Sequence, residues 1–404
     1  MKILLLTQWF DPEPTFKGLV FAKQLQAEGH QVEVITGFPN YPKGKLYEGY
    51  KIRLLQREVI DGVRINRVPL YPSHDGSGLK RAFNYISFAI TSCLFGIFLL
   101  KRPHVIYAYH PPLTVGLSAA VIGLFRRVPV VYDIQDMWPD TLQATGMLNN
   151  KKALAFVAKI CLWVYRRASA LVVLSPGFKR ILIERGVPAN KISVIYNWCD
   201  VSSLTQAQST DQISKKMTGK FNVVFAGTMG KAQALEAVLK AARLVQEENT
   251  LVQFVFVGGG IEVDKLKNLA QELLLNNVVF IPQMPMSEVG EVLRSADVLL
   301  VHLRNDPLFS ITVPSKTQAY MAVGKPILMG VAGDAANLIE QAGCGLIVRP
   351  ENASEIAAAV LRFADMTQDD LLEMGQRGAV YYQNELSIEI GTKKFIEVFT
   401  SVLD

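Results

Sequence analysis

The chain has 404 residues, of which half are hydrophobic and 19% are charged. This length suits two α/β domains, and the absence of long charged, apolar-poor stretches excludes a disordered protein. Residues 1–200 carry 25 Lys and Arg against 13 Asp and Glu, a net +12, whereas the remainder carries 17 against 23, a net −6. A basic first half is compatible with nucleic acid, an anionic membrane surface or a phosphate-bearing acceptor, and composition does not choose among them.

Strand-like apolar runs alternate with helical stretches along the first 200 residues. Nearly continuous runs of this kind are typical of strands covered on both faces, and their alternation with helices predicts right-handed βαβ crossovers. Residues 1–200 are therefore predicted to form a Rossmann-like domain with a parallel sheet. The runs are residues 2–8, 31–37, 59–68, 104–110, 128–134, 170–175 and 192–196.

Residues 201–219 interrupt this pattern, because they are polar and lack aromatic side chains, and we predict a linker there. A second series of strand and helix patterns predicts another Rossmann-like domain over residues 220–385. Residues 386–404 are predicted to form a C-terminal helix that crosses back to the first domain. Ligands of two such domains are expected in a cleft where the carboxyl ends of the strands face each other. The second-series strands are residues 221–227, 252–258, 278–282, 296–303, 325–331 and 344–349.

The cysteines and the amino-terminal sequence indicate the cellular compartment of the protein and whether it binds a metal. The four cysteines (Cys93, Cys161, Cys199 and Cys344) form no CxxC pair and no Cys/His cluster at metal-ligand spacing. They indicate a reducing compartment and no metal site. Met1 leads directly into a strand pattern rather than a signal peptide, which favours the cytoplasm.

The strongest site signal is the sequence FAGTMGKAQ, which starts at Phe225. A predicted strand ends at Gly227, a short glycine loop follows, and a long helix is predicted to open near Ala232. The amides of a helix amino terminus together with Lys231 are suited to bind a diphosphate. The alternative is a tight turn, in which glycine permits the backbone geometry and the lysine only keeps the surface soluble.

A second signal is the sequence VPSK, in which Pro314 suits the first turn of a helix. Ser315 and Lys316 would then present a hydroxyl and an ammonium beside free amides, although a simple capped helix is the alternative. A glycine run at residues 258–260 lacks the GxGxxG spacing of dinucleotide-binding proteins, so a dehydrogenase is not supported.

Loops at the strand ends of the first domain carry further polar residues. Gly18, before the first predicted helix, would allow the backbone to approach a phosphate. His110 lies in one loop, and Asp133, Asp136 and Trp138 lie in another. A His and several carboxylates at strand ends suit acid/base chemistry or binding of sugar hydroxyls, although each alone is more often structural. Hydrolase and metalloenzyme patterns are absent from the sequence.

A run of nineteen uncharged residues at positions 82–100 is bracketed by basic pairs. Its length approaches that of a bilayer span. Asn84, Ser87 and Thr91 fall on one helical stripe, which favours packing on protein. We expect a helix that packs on the first domain and inserts its Phe- and Leu-rich outer face into an anionic leaflet. The alternatives are a wholly buried helix and a transmembrane helix.

The motifs together resemble bacterial glycosyltransferase family 4 over essentially the whole chain, and the branch that builds O-antigen or capsule repeats in particular. The resemblance implies the GT-B fold, with two doubly wound Rossmann-like domains facing across a cleft. It also implies sugar transfer that retains anomeric configuration and needs neither metal nor cofactor. The motifs are GHQVEVITG, HPPLTVG, DMWPD, VLSPGF, VIYNW, FAGTMGKAQ and VPSK.

The stretches KGLVFAKQL, GFPNYPKGKLYEGY and YDIQDMWPDT look particularly like L-fucosamine transferases of that branch. This similarity implies a UDP donor carrying N-acetyl-L-fucosamine or a related deoxyhexosamine. It implies a polyprenyl-diphosphate-linked saccharide acceptor, used in lipopolysaccharide or capsule synthesis, and no nucleic-acid partner. The enzyme would be peripheral on the inner face of the bacterial inner membrane.

The resemblance also assigns roles to residues. The loop from Gly227 to Lys231 would hold the donor diphosphate, with Gly18 on its other side. Gln233 stands where family members often carry a Lys. The expected donor contacts are Gly18, Gly227, Lys231, Gln233, Gly258, Met284, Pro314, Ser315 and Lys316; the expected catalytic residues are His110 and Asp136; and the expected acceptor contacts are Lys17, Asp133 and Trp138.

The sequence departs from the family at its Glu-x7-Glu element. Aligned on the following GKPI, the two positions are Ile311 and Ala319, so neither carboxylate is present. Backbone groups or Ser315 and Lys316 must then replace the usual sugar and ribose contacts. The missing carboxylates therefore leave a catalytically inactive nucleotide-sugar-binding subunit open as an alternative. A non-hydrolysing UDP-sugar 2-epimerase, an enzyme class that shares the fold, is the other alternative.

Overall fold

The computed structural model describes residues 1–73, 78–144, 146–201, 204 and 217–403. The chain divides into two compact units, the first comprising Met1–Tyr196 with Gly391–Asp404 and the second comprising Asn197–Ile390. Most of the predicted linker at 201–219 lies outside the described residues.

The first unit is built on a largely parallel sheet. The strands are β1 (Lys2–Leu6), β2 (Gln31–Gly37), β3 (Gln56–Ile60), β4 (Val63–Val68), β5 (Val105–Tyr109), β6 (Val130–Ile134), β7 (Ala170–Val173) and β8 (Ile192–Val194). Over the described residues their order is β3-β4-β2-β1-β5-β6-β7-β8, with only β3 antiparallel to its neighbour. Strands β5 and β6 are buried at every residue, as their unbroken apolar sequences predict. The strand order reverses between β1 and β5, so the carboxyl ends of these strands are the expected ligand position.

Helices cover both series of strands. Those before the second unit are α1 (Leu19–Ala27), α2 (Gly78–Phe98), α3 (Leu113–Arg126), α4 (Asp140–Ala144), α5 (Lys151–Arg167) and α6 (Pro176–Glu184). The later ones are α7 (Glu236–Glu248), α8 (Val263–Glu272), α9 (Met286–Arg294), α10 (Pro307–Ser310), α11 (Ser315–Val323), α12 (Asp334–Ala342), α13 (Ala353–Ala364), α14 (Gln368–Tyr381) and α15 (Ile388–Ser401).

The described strands of the second unit form a parallel sheet. Its strands are β9 (Phe221–Ala226), β10 (Val252–Val257), β11 (Val278–Ile281), β12 (Val298–His302), β13 (Ile327–Gly330) and β14 (Gly345–Ile347). In the described part of the chain the order is β11-β10-β9-β12-β13-β14, which reverses between β9 and β12. Both units are therefore doubly wound, and the predicted fold class of two Rossmann-like domains is confirmed.

The C-terminal helix α15 packs into the core of the first unit. The Phe395 ring lies 5.2 Å from the Phe21 ring of α1 and 5.3 Å from the Tyr107 ring of β5, centroid to centroid. Phe399 is also fully buried and lies 5.7 Å from the Tyr107 ring. The last helix thus supplies aromatic side chains that close the core beside β5.

Polar side chains on one face of α2 bind it to the first unit. Asn84 Nδ2 donates to the Tyr71 carbonyl at 2.6 Å, and the Ser87 hydroxyl accepts from the Tyr71 N–H at 2.8 Å. The Thr91 hydroxyl donates to the Pro69 carbonyl at 2.7 Å. The expected packing stripe of Asn84, Ser87 and Thr91 is confirmed.

The opposite face of α2 is apolar and exposed, with exposed fractions between 51% and 76%. By length and composition alone α2 is apolar enough to cross a membrane, and one third of its most apolar window is buried in the protein. The alternative of a wholly buried helix is wrong. The exposed side chains are Leu79, Phe83, Ile86, Ile90, Leu94 and Phe98.

Candidate functional site

The loops that follow β9 and β10 pack backbone against backbone at the point where the strand order reverses. Gly227 and Gly258 have φ angles of 141° and 137°, which side-chain-bearing residues rarely adopt. A Cβ on Gly258 would stand 2.1 Å from the Gly227 carbonyl oxygen. Because it lacks a side chain, Gly258 lets the two loops pack this closely. The exposed backbone of Gly227 forms the surface of the loop after β9.

Lys316 places a buried cation beside this loop, in the first turn of α11. Its Nζ lies 3.5 Å from the centroid of the Phe225 ring and 3.1 Å from the position of a Cβ on Gly227. The aromatic face stabilises the ammonium, but Nζ has no hydrogen-bond partner within the described structure. Burial lowers the pKa of Lys316 to about 7. An anion bound here would relieve the cost of this unpaired charge.

Tyr320, which lies one turn further along α11, holds this helix against β9. Its hydroxyl accepts from the Ala226 N–H at 2.9 Å and donates to the Ala226 carbonyl at 3.2 Å. Pro314 forms the amino-terminal cap without a side-chain hydrogen bond, and the side chain of Ser315 is exposed. The predicted set of Gly227, Pro314, Ser315 and Lys316 is thus brought together. Tyr320 was missed, although an aromatic residue four positions after Lys316 is its sequence signal.

The turn at Lys231–Gln233 is held in place by hydrogen bonds to its backbone and side chains. Gln233 Oε1 accepts from the Gly230 N–H at 3.0 Å, and the Gln233 carbonyl lies 2.7 Å from His302 Nδ1. His302 Nε2 accepts from the Glu351 N–H at 3.0 Å, so its ring is neutral and donates from Nδ1. Gln233 therefore caps the turn, while the Lys231 side chain extends into solvent.

The long helix of this loop begins later than the sequence indicates. Residues Lys231–Gln233 form a short 3-10 turn, and α7 starts at Glu236 rather than near Ala232. Ala234 interrupts the helical path with a φ of 46°. Lys231 therefore lies in this short turn, and the expected start of the long helix near Ala232 is corrected to Glu236.

The other second-unit positions that the sequence singled out are Met284, Ile311 and Ala319. Met284 lies in the loop after β11, at the same edge of the sheet, and is partly buried. Ile311, which precedes α11, is buried, and Ala319 on α11 is partly buried. Burial is the one cause of the lowered Lys316 pKa, so among the described residues no carboxylate compensates its charge.

His110 is an enclosed and neutral side chain at the carboxyl end of β5. Its ring meets those of Tyr132 and Trp138 edge to face, with centroids 6.0 and 5.6 Å away. Nδ1 is buried without a hydrogen-bond partner in the part of the chain that the structure describes, and burial lowers the pKa of His110 to about 3. A neutral imidazole of this kind suits a hydrogen bond to a sugar hydroxyl better than proton transfer.

Asp136 lies in the neighbouring loop after β6. Burial raises the pKa of its carboxyl group, and none of the charged residues that the structure describes contributes to that shift. Trp138 follows it and is partly exposed, with its ring against His110. The structure thus brings His110 and Trp138 into contact and places Asp136 on the same loop as Trp138.

Lys17 and Asp133 form an ion pair in the core, which corrects their predicted role as acceptor contacts. Lys17 Nζ lies 2.6 Å from Asp133 Oδ2, and both side chains have an exposed fraction of 0%. The Tyr107 hydroxyl and the Gln135 amide each donate to Asp133 at 2.6 Å. Because the two buried charges compensate each other, the pair holds the first unit together instead of contacting an acceptor.

The expected phosphate contact at Gly18 is also corrected. Gly18 caps the amino terminus of α1, where the Leu19 N–H donates to Asp11 Oδ2 at 2.6 Å. A Cβ on Gly18 would stand 2.2 Å from that carboxylate oxygen. Glycine is needed here to admit Asp11, and the carboxylate already provides the negative charge that this helix end attracts.

Comparisons with known proteins assign both halves of the chain to glycosyltransferase domains. Residues 19–198 match the family model described as "Glycosyl transferase 4-like domain", and residues 206–379 match "Glycosyl transferases group 1". WcaI of Escherichia coli K12, named as a colanic acid biosynthesis glycosyl transferase, is 26% identical over 377 residues, covering 89% of this chain and 91% of WcaI. WbjE of Pseudomonas aeruginosa, named as a glycosyltransferase, is 27% identical over 290 residues, covering 70% of each chain.

Among solved structures, HepE of Anabaena in complex with UDP-glucose superimposes with a TM-score of 0.70 at 17% identity, covering 99% of this chain and 100% of HepE. At this identity the likeness shows the fold alone, and it confirms the expected GT-B fold. The two family matches follow one another along the chain and coincide with its two doubly wound units. The chain is therefore a GT-B glycosyltransferase, in which a glycosyl transferase 4-like domain precedes a glycosyl transferases group 1 domain.

Proposed function

We propose that this glycosyltransferase moves a sugar from a UDP donor to a lipid-linked saccharide during bacterial polysaccharide synthesis. The observation that carries the donor assignment is the buried, unpartnered ammonium of Lys316 beside the Gly227 backbone. The UDP-glucose in the HepE structure and the role in colanic acid synthesis for which WcaI is named support the donor class and the pathway class. The proposed sugar is N-acetyl-L-fucosamine or a related deoxyhexosamine, following the resemblance of the first domain.

The donor diphosphate would lie between the glycine loop and the amino end of α11. Glycine at position 227 lets the diphosphate approach the backbone, and the helix amides of α11 favour negative charge. Lys316 would provide a charge-assisted hydrogen bond at short range, and Lys231 could add a second from its exposed position. The described carboxylates do not compensate Lys316, so the diphosphate would be its first counter-charge.

The transfer is proposed to retain anomeric configuration and to need no metal ion. The bond between the sugar C1 and the diphosphate oxygen breaks as the acceptor oxygen bonds to C1 on the same face. The departing diphosphate takes the proton of the acceptor hydroxyl, so no strong side-chain base is required. The neutral imidazole of His110 and the carboxyl group of Asp136 would then bind hydroxyl groups of the substrates.

Turnover should therefore persist in EDTA, and the product should keep the anomeric configuration of the donor. The measurement is product formation from a panel of UDP-sugars with a polyprenyl-diphosphate-saccharide acceptor, followed by mass spectrometry and NMR. Loss of turnover in EDTA with recovery in Mn²⁺, or an inverted product, would contradict the mechanism. Interconversion of UDP-sugars without acceptor would indicate an epimerase, and binding without turnover an inactive subunit.

The proposed contact with an anionic membrane extends from α2 to its neighbours. Helices α2, α3 and α5 pack in sequence on the first unit. Together they contain eight Lys and Arg and no Asp or Glu. Exposed apolar side chains continue from α2 onto α3 at Leu124 and Phe125, and onto α5 at Phe156 and Trp163. Apolar insertion combined with basic charge is the pattern of proteins that bind an anionic leaflet, here the inner face of the inner membrane.

Flotation with anionic liposomes should recover the wild type with the lipid and leave Phe83→Glu/Phe98→Glu largely in the soluble fraction. Phe83 and Phe98 are 64% and 73% exposed, so the substitutions spare the core. The matched control is Ile261→Glu/Leu274→Glu, at positions 82% and 73% exposed in the second unit. Wild type that stays soluble at low salt would refute the attachment, and resistance to high-pH extraction would point to a spanning helix.

A further inference from the structure

His302 is the last residue of β12, and its side chain is fully buried. It pairs in register with Gly330, the last residue of the parallel strand β13. A Cβ on Gly330 would stand 2.4 Å from Cδ2 of the imidazole ring. Glycine at this strand end therefore leaves room for the ring, and the sheet holds the ring at its carboxyl edge.

The two ring nitrogens of His302 bind backbone groups of two different segments. Nδ1 lies 2.7 Å from the carbonyl oxygen of Gln233 in the turn before α7, and Nε2 lies 3.0 Å from the backbone nitrogen of Glu351 in the loop after β14. A carbonyl can only accept and a backbone N–H can only donate, so only the neutral ring with its proton on Nδ1 makes both hydrogen bonds. Burial lowers the pKa of His302, which favours this neutral form.

Further hydrogen bonds join these segments into one frame. The Glu351 carboxylate accepts from the Asn305 N–H, just after β12, at 2.7 Å. The Arg304 N–H donates to the Ala232 carbonyl at 2.8 Å. The turn before α7, the end of β12 and the loop after β14 are thus connected in a closed circuit that passes through His302.

This frame reaches the glycine loop after β9 through Gln233. Gln233 Oε1 accepts from the Gly230 N–H at 3.0 Å. The earlier part of the loop is held separately, because the Met229 N–H donates to the Gly259 carbonyl at 2.8 Å. The far end of the loop, which carries the exposed Lys231, therefore depends on the frame, whereas its earlier part depends on the loop after β10.

We propose that His302 is a positioning residue for the donor, which holds the glycine loop after β9 in the shape that receives the diphosphate. The inference rests on the donor site proposed above. Because its side chain is fully buried, His302 would act through the Gln233 backbone without touching the donor. A loop that is ordered before binding spares the ligand the entropic cost of ordering it. Lys316 belongs to a different element, α11, so its contact with the diphosphate should survive the loss of His302.

The test measures UDP affinity by calorimetry in variants of the full chain. His302→Phe keeps a ring but removes both hydrogen bonds, so it should raise the dissociation constant of UDP about tenfold. His302→Asn keeps a nitrogen donor at the same number of bonds from Cα as Nδ1, and its UDP affinity should stay within about threefold of wild type. Phe363→Leu, at a fully buried position of α13, is the control for loss of core packing and should leave UDP affinity unchanged.

Kinetics and NMR distinguish positioning from a purely structural role. His302→Phe should raise the KM for the UDP-sugar about tenfold and leave kcat within about threefold, because the loop contributes equally to ground-state and transition-state binding. The chain has five histidines, and the ¹⁵N-histidine signal that disappears in His302→Asn should be that of a neutral ring protonated on Nδ1. A ring protonated on Nε2, or on both nitrogens, would overturn the inference.

Glu351→Gly tests the frame without changing its buried ring. Glu351 is exposed and has a φ of 60°, so glycine suits the backbone and keeps the N–H that His302 accepts. Only the carboxylate contact is lost, and UDP binding should weaken about threefold. Unchanged affinity in Glu351→Gly and His302→Phe would overturn the positioning role; the donor site would stand if Lys316→Ala still weakened binding and would fall if it did not. Equal losses of affinity in His302→Phe and Phe363→Leu would also overturn it.

Discussion

Replacing Lys17 with Met should lower the free energy of unfolding by about 3–5 kcal/mol, because it leaves the Asp133 carboxylate charged in the core. The pair is fully buried, with Nζ and Oδ2 2.6 Å apart, and Phe395 lies over the cation with its ring centroid 5.0 Å from Nζ. Urea unfolding of the full chain measures the effect. Lys17→Met/Asp133→Asn should recover part of the loss, because the uncompensated charge is removed.

An exposed ion pair in the same unit provides the control. Lys23 Nζ lies 2.8 Å from Asp61 Oδ2, but the two side chains are 50% and 56% exposed. Water and salt screen such a pair, so Lys23→Met should change the free energy of unfolding by at most about 1 kcal/mol. Similar losses for Lys17→Met and Lys23→Met would contradict the structural role assigned to the buried pair.

Replacing Lys316 with Ala should weaken UDP binding about tenfold to a hundredfold, since a charge-assisted contact contributes roughly 1.5–3 kcal/mol. Lys231→Ala should have the smaller effect, because its ammonium is exposed and well solvated. Calorimetric titration with UDP measures both. Unchanged affinity in both variants would remove the donor-site assignment, and Lys240→Ala, another exposed lysine of the second unit, provides the control.

The same residue predicts how UDP affinity depends on pH. The Lys316 pKa is lowered to about 7 in the free protein, and a bound diphosphate would raise it by stabilising the charged form. Below pH 7 the ammonium is already present and its contribution is complete. As the pH rises above 7, binding must take up a proton, so the dissociation constant should rise by up to about tenfold per pH unit. This slope between pH 7 and 9 should disappear in Lys316→Ala, and an equally steep slope in that variant would refute the assignment.

Patterns that depend on neighbours along the chain were predictable from the sequence. Apolar strand runs alternating with helical stretches determined two doubly wound domains, because a parallel sheet buries both faces of its strands. The stripe of Asn84, Ser87 and Thr91 determined which face of α2 packs on protein, since residues three and four apart share one side of a helix. The VPSK motif likewise located a helix start with Lys316 in its first turn, where the structure has it.

Contacts between distant parts of the chain were decided by the tertiary structure alone. Lys17 and Asp133 are 116 residues apart, and no local pattern shows that they pair in the core. Gly18 was expected to let the backbone approach a phosphate, but its missing side chain admits the Asp11 carboxylate instead. His302 reaches the turn at Gln233 across 69 residues of sequence. Periodicity and turn chemistry determine the helices, strands and loops, whereas the partner of a buried polar group depends on which loops the sheet order brings together.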